Sequence, residues 1–293
     1  MTYFLEKCHS YYDDTTVEKI ILGMQKRYTS FRVNPLKDKG EALEEIKKHN
    51  LKIRKAGIYE NAYILENAKE EDLESLDCYR EGGIYLQSLS SMMPPLKMDL
   101  IPGHAVLDMA AAPGGKTTEM AALSMNKVSI TACELNKIRA NRLKFNVDMQ
   151  GASSVFVMNT DARRLDDFFS FDEILLDAPC SGSGTRSYTE EGLKGLGEEL
   201  VAKSVKSQET LLKQAYKHLK KNGTIVYSTC SIFKCENEEL VLKALKGKKY
   251  EIIPISFNDD NLELLPSTIN GALTIMPNAY YEGFFMIKII YFF

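Results

Sequence analysis

The chain has 293 residues, with 37 Lys and Arg against 40 Asp and Glu, 44% hydrophobic residues and a net charge of −3. This is the composition of a globular protein with one sizeable core and room for an appendage; it excludes collagenous, repeat and disordered classes. No apolar run is long enough to cross a bilayer, and residues 1–13 lack the basic-then-apolar layout of a signal peptide, so a cytoplasmic protein is expected. The charge is uneven. Residues 31–60 carry eight basic and five acidic side chains and 61–81 is strongly acidic, so a basic face is compatible with an acidic total. The six cysteines form no C-x-x-C pair and suggest no disulfide framework, and the four histidines form no ligand-spaced metal cluster.

The first eighty residues read as a small α+β unit. A helix is predicted over 16–28, a strand over 30–34, a helix over 40–48 and a strand over 51–54. An acidic boundary or solvated helix follows at 66–77, then the punctuation of Gly82-Gly83. From about residue 104, apolar runs alternate with helical stretches. Strands are predicted over 105–109, 128–133, 155–158, 173–176, 224–228, 251–255 and 284–289, with helices over 116–125, 137–149, 200–220 and 237–246. That alternation implies a largely parallel, doubly wound α/β sheet whose ligands lie beyond the carboxyl ends of the strands. The expected division is a small α+β domain over 1–80 and a Rossmann-like, seven-stranded domain over 81–293.

The chemistry-bearing residues fall at those strand ends. The first strand runs into D-M-A-A-A-P-G-G-K-T, where Asp108 closes the strand, glycines let the backbone approach a ligand, and the next helix opens with free amides. The turn is neither G-x-G-x-x-G nor a P-loop. Glu134, about twenty residues further on, is placed to accept from ribose hydroxyls. Asp161, after the third strand, is placed either to accept from an adenine amino group or to cap the next turn. The fourth strand delivers Asp177 and Cys180 in D-A-P-C, and the fifth delivers Cys230 in S-T-C-S. A lone thiol is usually core packing; two thiols converging on one rim beside a cofactor-type turn are not.

With these residues in view, the sequence resembles the Nop/Sun (NSUN-type) family of RNA cytosine-5 methyltransferases. The resemblance rests on F-R-V-N-P-L (31–36), Y-L-Q-S-L-S-S-M-M-P (85–94), D-M-A-A-A-P-G-G-K-T (108–117), L-L-D-A-P-C-S-G-S-G-T (175–185), Y-S-T-C-S (227–231) and E-G-F-F (282–285), in the family's order. It implies a seven-stranded class I methyltransferase domain preceded by a small RNA-recognition-like domain. It also implies S-adenosylmethionine as cofactor, S-adenosylhomocysteine as product, no metal, and rRNA or tRNA as partner. No membrane association and a monomer are expected. By position, Ala110, Ala111, Ala112, Pro113, Gly114, Gly115 and Lys116 form the cofactor loop. Glu134 meets the ribose, Asp161 lies near adenine, and Asp177 faces the methionine end and the target base. Cys230 matches the family's nucleophile, and Cys180 matches the residue implicated in product release. DNA cytosine-5 enzymes use the P-C thiol instead, normally in P-C-Q; here Ser181-Gly182 follows and a T-C is present, which favours the RNA class. Arg32, Lys37 and Arg186 are the candidate RNA-binding residues. Longer members carry added RNA-binding domains for which this chain has no room, so the RNA substrate is the least transferable part of the resemblance.

The implied reaction is thiolate addition to carbon 6 of cytosine, which makes carbon 5 nucleophilic enough to take a methyl group. A paired base cannot reach such a site, so the target is unpaired or flipped. The competing readings are an RNA-binding scaffold of the same fold and a methyltransferase acting on DNA or protein. The first predicts a missing thiol or a broken loop, and the second a different substrate-binding motif.

Overall fold

The protein, described here as a computed structural model over residues 1–292, is built on two sheets. The smaller is antiparallel, with strands β1 (Thr29–Val33), β2 (Ile53–Lys55), β3 (Ala62–Leu65) and β4 (Ile84–Leu86) in the order β2-β3-β1-β4. The larger holds β5 (Ala105–Asp108), β6 (Ser129–Cys133), β7 (Val155–Met158), β8 (Phe171–Asp177), β9 (Leu219–Thr229), β10 (Lys249–Ile253), β11 (Leu264–Leu265), β12 (Leu273–Ile275) and β13 (Phe284–Phe292). Strands β7-β6-β5-β8-β9 are parallel, and β13 adds antiparallel to β9. The far edge of β13 is shared, with β12 pairing its first residues and β10 its last. All seven predicted strands are present. The sheet reaches nine through the hairpin β11–β12, whose strands of two and three residues are too short to show a periodic pattern.

Chain order reverses across β5 and β8, the switch point at which open α/β sheets bind ligands. Alternation along the central strands serves two helical layers. Leu175 and Val226 pack with Met120, Leu143 and Val147, from helices Gly115–Leu123 and Lys137–Met149. Leu176 and Tyr227 pack with Leu211, Leu212, Leu240 and Val241, from helices Glu198–His218 and Glu238–Leu245.

The N-terminal region departs from the expected outline. Residues 2–11 form a helix that was not predicted, and the helix expected over 16–28 runs Asp14–Gly23. It stops where Gly23 lies against the Pro277 carbonyl, too close for any Cβ. These two helices pack away from the small sheet: Phe4, Cys8, Tyr12 and Ile20 join Leu193, Val201, Ile232 and Phe233. The Tyr12 hydroxyl donates to the Ile232 carbonyl at 2.9 Å, two residues beyond Cys230. The small sheet in turn takes in β4, past residue 80. No helix among the described residues is long and apolar enough to cross a membrane.

Candidate active site

Two adjoining cavities open at the carboxyl ends of β5, β6, β8 and β9. One, about 380 Å³, is lined by Tyr85, Ser88, Ser91, Asp108, Lys116, Glu282 and Phe284 among others. The second, about 390 Å³, is lined by Glu134, Asn136, Arg139, Asp161, Arg163, Pro179 and Cys180 among others. Ala110, Ala112, Asp177 and Cys230 line both.

The loop after β5 is shaped by Gly114, at φ 113°, a conformation L side chains rarely adopt. Gly115 follows with Tyr85 and Gln87 close by, so a Cβ there meets the Tyr85 ring at 3.2 Å. The Asn146 side-chain amide donates to the Pro113 carbonyl (2.7 Å) and the Arg139 guanidinium to the Ala112 carbonyl (2.8 Å), bracing the loop from the neighbouring helix. Glu134 is buried at the end of β6, accepting from the Asn136 backbone N–H at 2.8 Å with Arg139 at 3.4 Å. Asp161 does cap the next turn, accepting from the Arg163 N–H and guanidinium, and still lines the second cavity. The Arg163 hydrogen bonds hold its carboxyl below the usual carboxylate range.

The charged centre is Lys116 with Asp177. The Lys116 ammonium donates to Asp177 Oδ2 and to the Ser91 hydroxyl, both at 2.7 Å, and the Ser228 hydroxyl donates to Asp177 Oδ1 at 2.8 Å. Burial works against the Lys116 charge, but the carboxylate of Asp177, then Cys230 and Asp108, outweigh it and raise its pKa. Asp108 accepts from the Thr117 hydroxyl at 2.7 Å, while burial pushes its carboxyl up to about 6. Its Oδ1 is buried with no partner in the protein.

The two half-buried thiols meet here, Cys180 Sγ lying 3.1 Å from Cys230 Sγ. The hydrogen bond to Cys230, burial, and the charges of Cys230 and Glu236 all push the Cys180 thiol well up. Either sulfur can donate in this contact, and Lys116 lines the first cavity together with Cys230. Cys133, by contrast, is fully buried core.

Two of the three candidate RNA contacts, Arg32 and Arg186, have their guanidinium donors taken up inside the protein. Arg32 is 1% exposed: it donates to Gln87 Oε1 (2.9 Å), the Thr118 hydroxyl (2.7 Å) and the Gly115 carbonyl (3.3 Å), and lies 5.0 Å over the Tyr85 ring. Its guanidinium ties β1 to the helix after the cofactor-type loop and is closed to a phosphate. Arg186 spends its donors on the backbone carbonyls of Ser181, Gly192 and Lys194, holding the loop after Cys180 in shape. Lys37 is exposed, but beside the mixed-charge cleft of Glu44, Glu45, Asp77 and Glu81, outside both cavities. Reading strand ends alone passed over Ser91, Ser228 and Glu282. All three stand inside the motif segments that carry the family resemblance, which was the available signal. Among the described residues no group of three or more His, Cys, Asp or Glu could hold a metal ion.

A family model described as 16S rRNA methyltransferase RsmB/F matches residues 95–290. The chain belongs to this family. Among RsmB/F relatives, Ribosomal RNA small subunit methyltransferase F of Shewanella piezotolerans is 35% identical over 244 residues, 78% of this chain and 50% of that protein. The Vibrio cholerae protein of the same name is 37% identical over 217 residues, 71% of this chain and 45% of that one. The chain thus spans about half the length of the curated relatives it matches. A methyltransferase homolog protein from Pyrococcus horikoshii superposes with a TM-score of 0.75 at 29% identity, covering 98% of both chains. NSun6 from the same organism superposes with a TM-score of 0.84 at 21% identity over 99% of this chain and 97% of that one; at that identity it shows the shared fold.

Proposed function

We propose that this RsmB/F-family protein is an S-adenosylmethionine-dependent RNA cytosine-5 methyltransferase acting on small-subunit ribosomal RNA. The observation that carries the reading is Cys230 on the wall common to two cavities, 3.1 Å from a second thiol and beside the Lys116–Asp177 pair. The choice of rRNA over tRNA rests on the names of the relatives.

The second cavity fits the cofactor in its donor set. Glu134 and Asp161 offer acceptors for a diol and an amine, and Asp108, whose Oδ1 is unpartnered, lines the adjoining first cavity. Ala110, Ala112 and Asp177 complete that wall, while Ala111, Pro113, Gly115 and Lys116 of the same loop line the first cavity. S-adenosylmethionine, when bound, supplies an electrophilic methyl group. The first cavity takes the unpaired base. Cys230, as thiolate, forms a bond to carbon 6, and the ring's electrons shift so that carbon 5 becomes nucleophilic. Asp177, aligned by Lys116 and Ser228, accepts from the exocyclic amine and, as the acid, delivers a proton to ring nitrogen 3 as negative charge develops there. After carbon 5 is methylated its proton passes to a base, a role open to Cys180 once it has given up its own proton; the C5–H pair forms the carbon 5–carbon 6 double bond and the Cys230 sulfur leaves with the C6–S pair.

The deciding experiment is bisulfite sequencing of small-subunit rRNA from cells with and without the protein, and with the Cys230→Ala variant. A single protected cytosine that requires Cys230 supports the reading. Identical maps in all three strains overturn it.

A further inference from the structure

One buried carboxylate joins the two thiol-bearing loops and belongs to neither. Glu236 is fully buried just before helix Glu238–Leu245. Its Oε1 accepts from the Ser181 backbone N–H at 2.7 Å and the Gln208 side-chain amide at 3.3 Å. Its Oε2 accepts from the Ser181 and Ser231 hydroxyls, both at 2.5 Å. Ser181 follows Cys180 in the chain and Ser231 follows Cys230, so one side chain clamps the two loops together. Its neighbours reinforce the clamp. Asn237 accepts from the Thr229 hydroxyl at 2.6 Å and donates to the Ser231 carbonyl at 2.8 Å, and Gln208 donates to the Pro179 carbonyl at 3.1 Å. Every partner of the Glu236 carboxylate is a donor, which is what an ionised carboxylate requires.

We propose that Glu236 is a positioning residue that decides which of the two thiols is the nucleophile: it fixes Cys180 against Cys230 and places a negative charge on the Cys180 side. This rests on Cys230 being the attacking sulfur. The electrostatic layout is asymmetric. The charge of Glu236, bonded to the residue after Cys180, acts on the Cys180 thiol, whereas Lys116 shares the lining of the first cavity with Cys230. An anion near Cys180 favours its protonated form, which leaves Cys230 as the sulfur free to attack. Without the carboxylate the two thiols lose their distinction, and the 3.1 Å contact loses the clamp that maintains it.

The test uses the full chain with no RNA or cofactor: limiting iodoacetamide from pH 6 to 10, with each cysteine followed by peptide mass spectrometry. In the wild type Cys230 labels first. Glu236→Gln keeps the shape, because the serine hydroxyls can reverse, and removes the charge. The pH midpoint for Cys180 labelling should then fall by about one unit, and the Cys230-to-Cys180 preference at pH 8 about tenfold. Ser181→Ala, which retains the charge and the backbone contact, should leave the midpoint in place and controls for loosened packing. Glu236→Gln with the wild-type order and midpoint overturns the proposal. A second readout is the covalent complex with RNA containing 5-fluorocytidine, whose fluorine cannot leave as a proton does. The complex should form more slowly in Glu236→Gln. Shifted labelling together with no complex in the wild type would support Glu236 as the arbiter of thiol reactivity while removing the methyltransferase reading.

Discussion

Arg32→Ala separates a surface cation from a buried tie. The substitution removes two charge-assisted hydrogen bonds of full strength, to Gln87 Oε1 and the Thr118 hydroxyl, and a longer one to the Gly115 carbonyl. At about 1.5–3 kcal/mol each for the two short bonds, and with Gln87 left partly unpaired beside the buried Glu119, the loss is about 3–5 kcal/mol. In a chain of this size that lowers the melting temperature on the order of 10 °C. Urea and thermal unfolding of the wild type, Arg32→Ala and the exposed Lys37→Ala measure it, alongside RNA affinity as a function of salt. Lys37→Ala should unfold like the wild type. Because Gly115 and Thr118 belong to the helix that follows the loop of Ala110–Gly114, Arg32→Ala should also weaken cofactor affinity. The salt slope of RNA binding should not change, since no phosphate contact is lost. An Arg32→Ala protein of wild-type stability whose slope of log K against log salt falls by about 0.9 would refute the argument and restore Arg32 to the RNA interface.

Cys180→Ala should leave addition by Cys230 intact and impair release, so turnover falls about 10²–10⁴-fold while a denaturant-resistant protein–RNA band accumulates on gels; accumulation in Cys230→Ala instead would reverse the two roles. Asp161→Ala should weaken S-adenosylmethionine binding about tenfold by calorimetry, and unchanged affinity in both Asp161→Ala and Glu134→Ala would remove the second cavity as the cofactor site. Glu119 is buried and its carboxyl is pushed up to about 8, so the folded state holds a proton that the unfolded state releases near its ordinary value. Its contribution is therefore full at low pH and is lost as pH rises towards 8. Unfolding free energies from urea titrations between pH 6 and 8 should fall by at most about 1.4 kcal/mol per pH unit in the wild type, and the fall should flatten in Glu119→Gln. Gly184→Ala would set a Cβ 1.9 Å from the Gly283 carbonyl oxygen, in a loop whose Gly184 N–H donates to the Cys230 carbonyl, and should cost about 1–3 kcal/mol and slow adduct formation.

The parallel core of the sheet was legible in the sequence because strands buried on both faces are apolar runs bounded by polar turns, and the runs at 105–109, 173–176 and 224–228 fall where β5, β8 and β9 lie. The thiols, the glycine turn, Glu134 and Asp161 were legible for the same reason: parallel strands end on one rim, so a residue at a strand's carboxyl end is placed by chain direction alone. Four things were decided only by the tertiary structure. The short β11–β12 hairpin has no periodicity to read, and the first helix is held by partners some two hundred residues away. The exposure of a cation is not written in its neighbours: Arg32 sits among basic residues in sequence, yet β4 and the helix after β5 close over it. The link between the thiols through Glu236 joins Ser181 to Ser231 across fifty positions of sequence, and pairwise contact at that separation comes into being only when β8 and β9 lie side by side. Local pattern sets which face and which end of an element a residue occupies; what stands opposite it depends on how the elements are brought together.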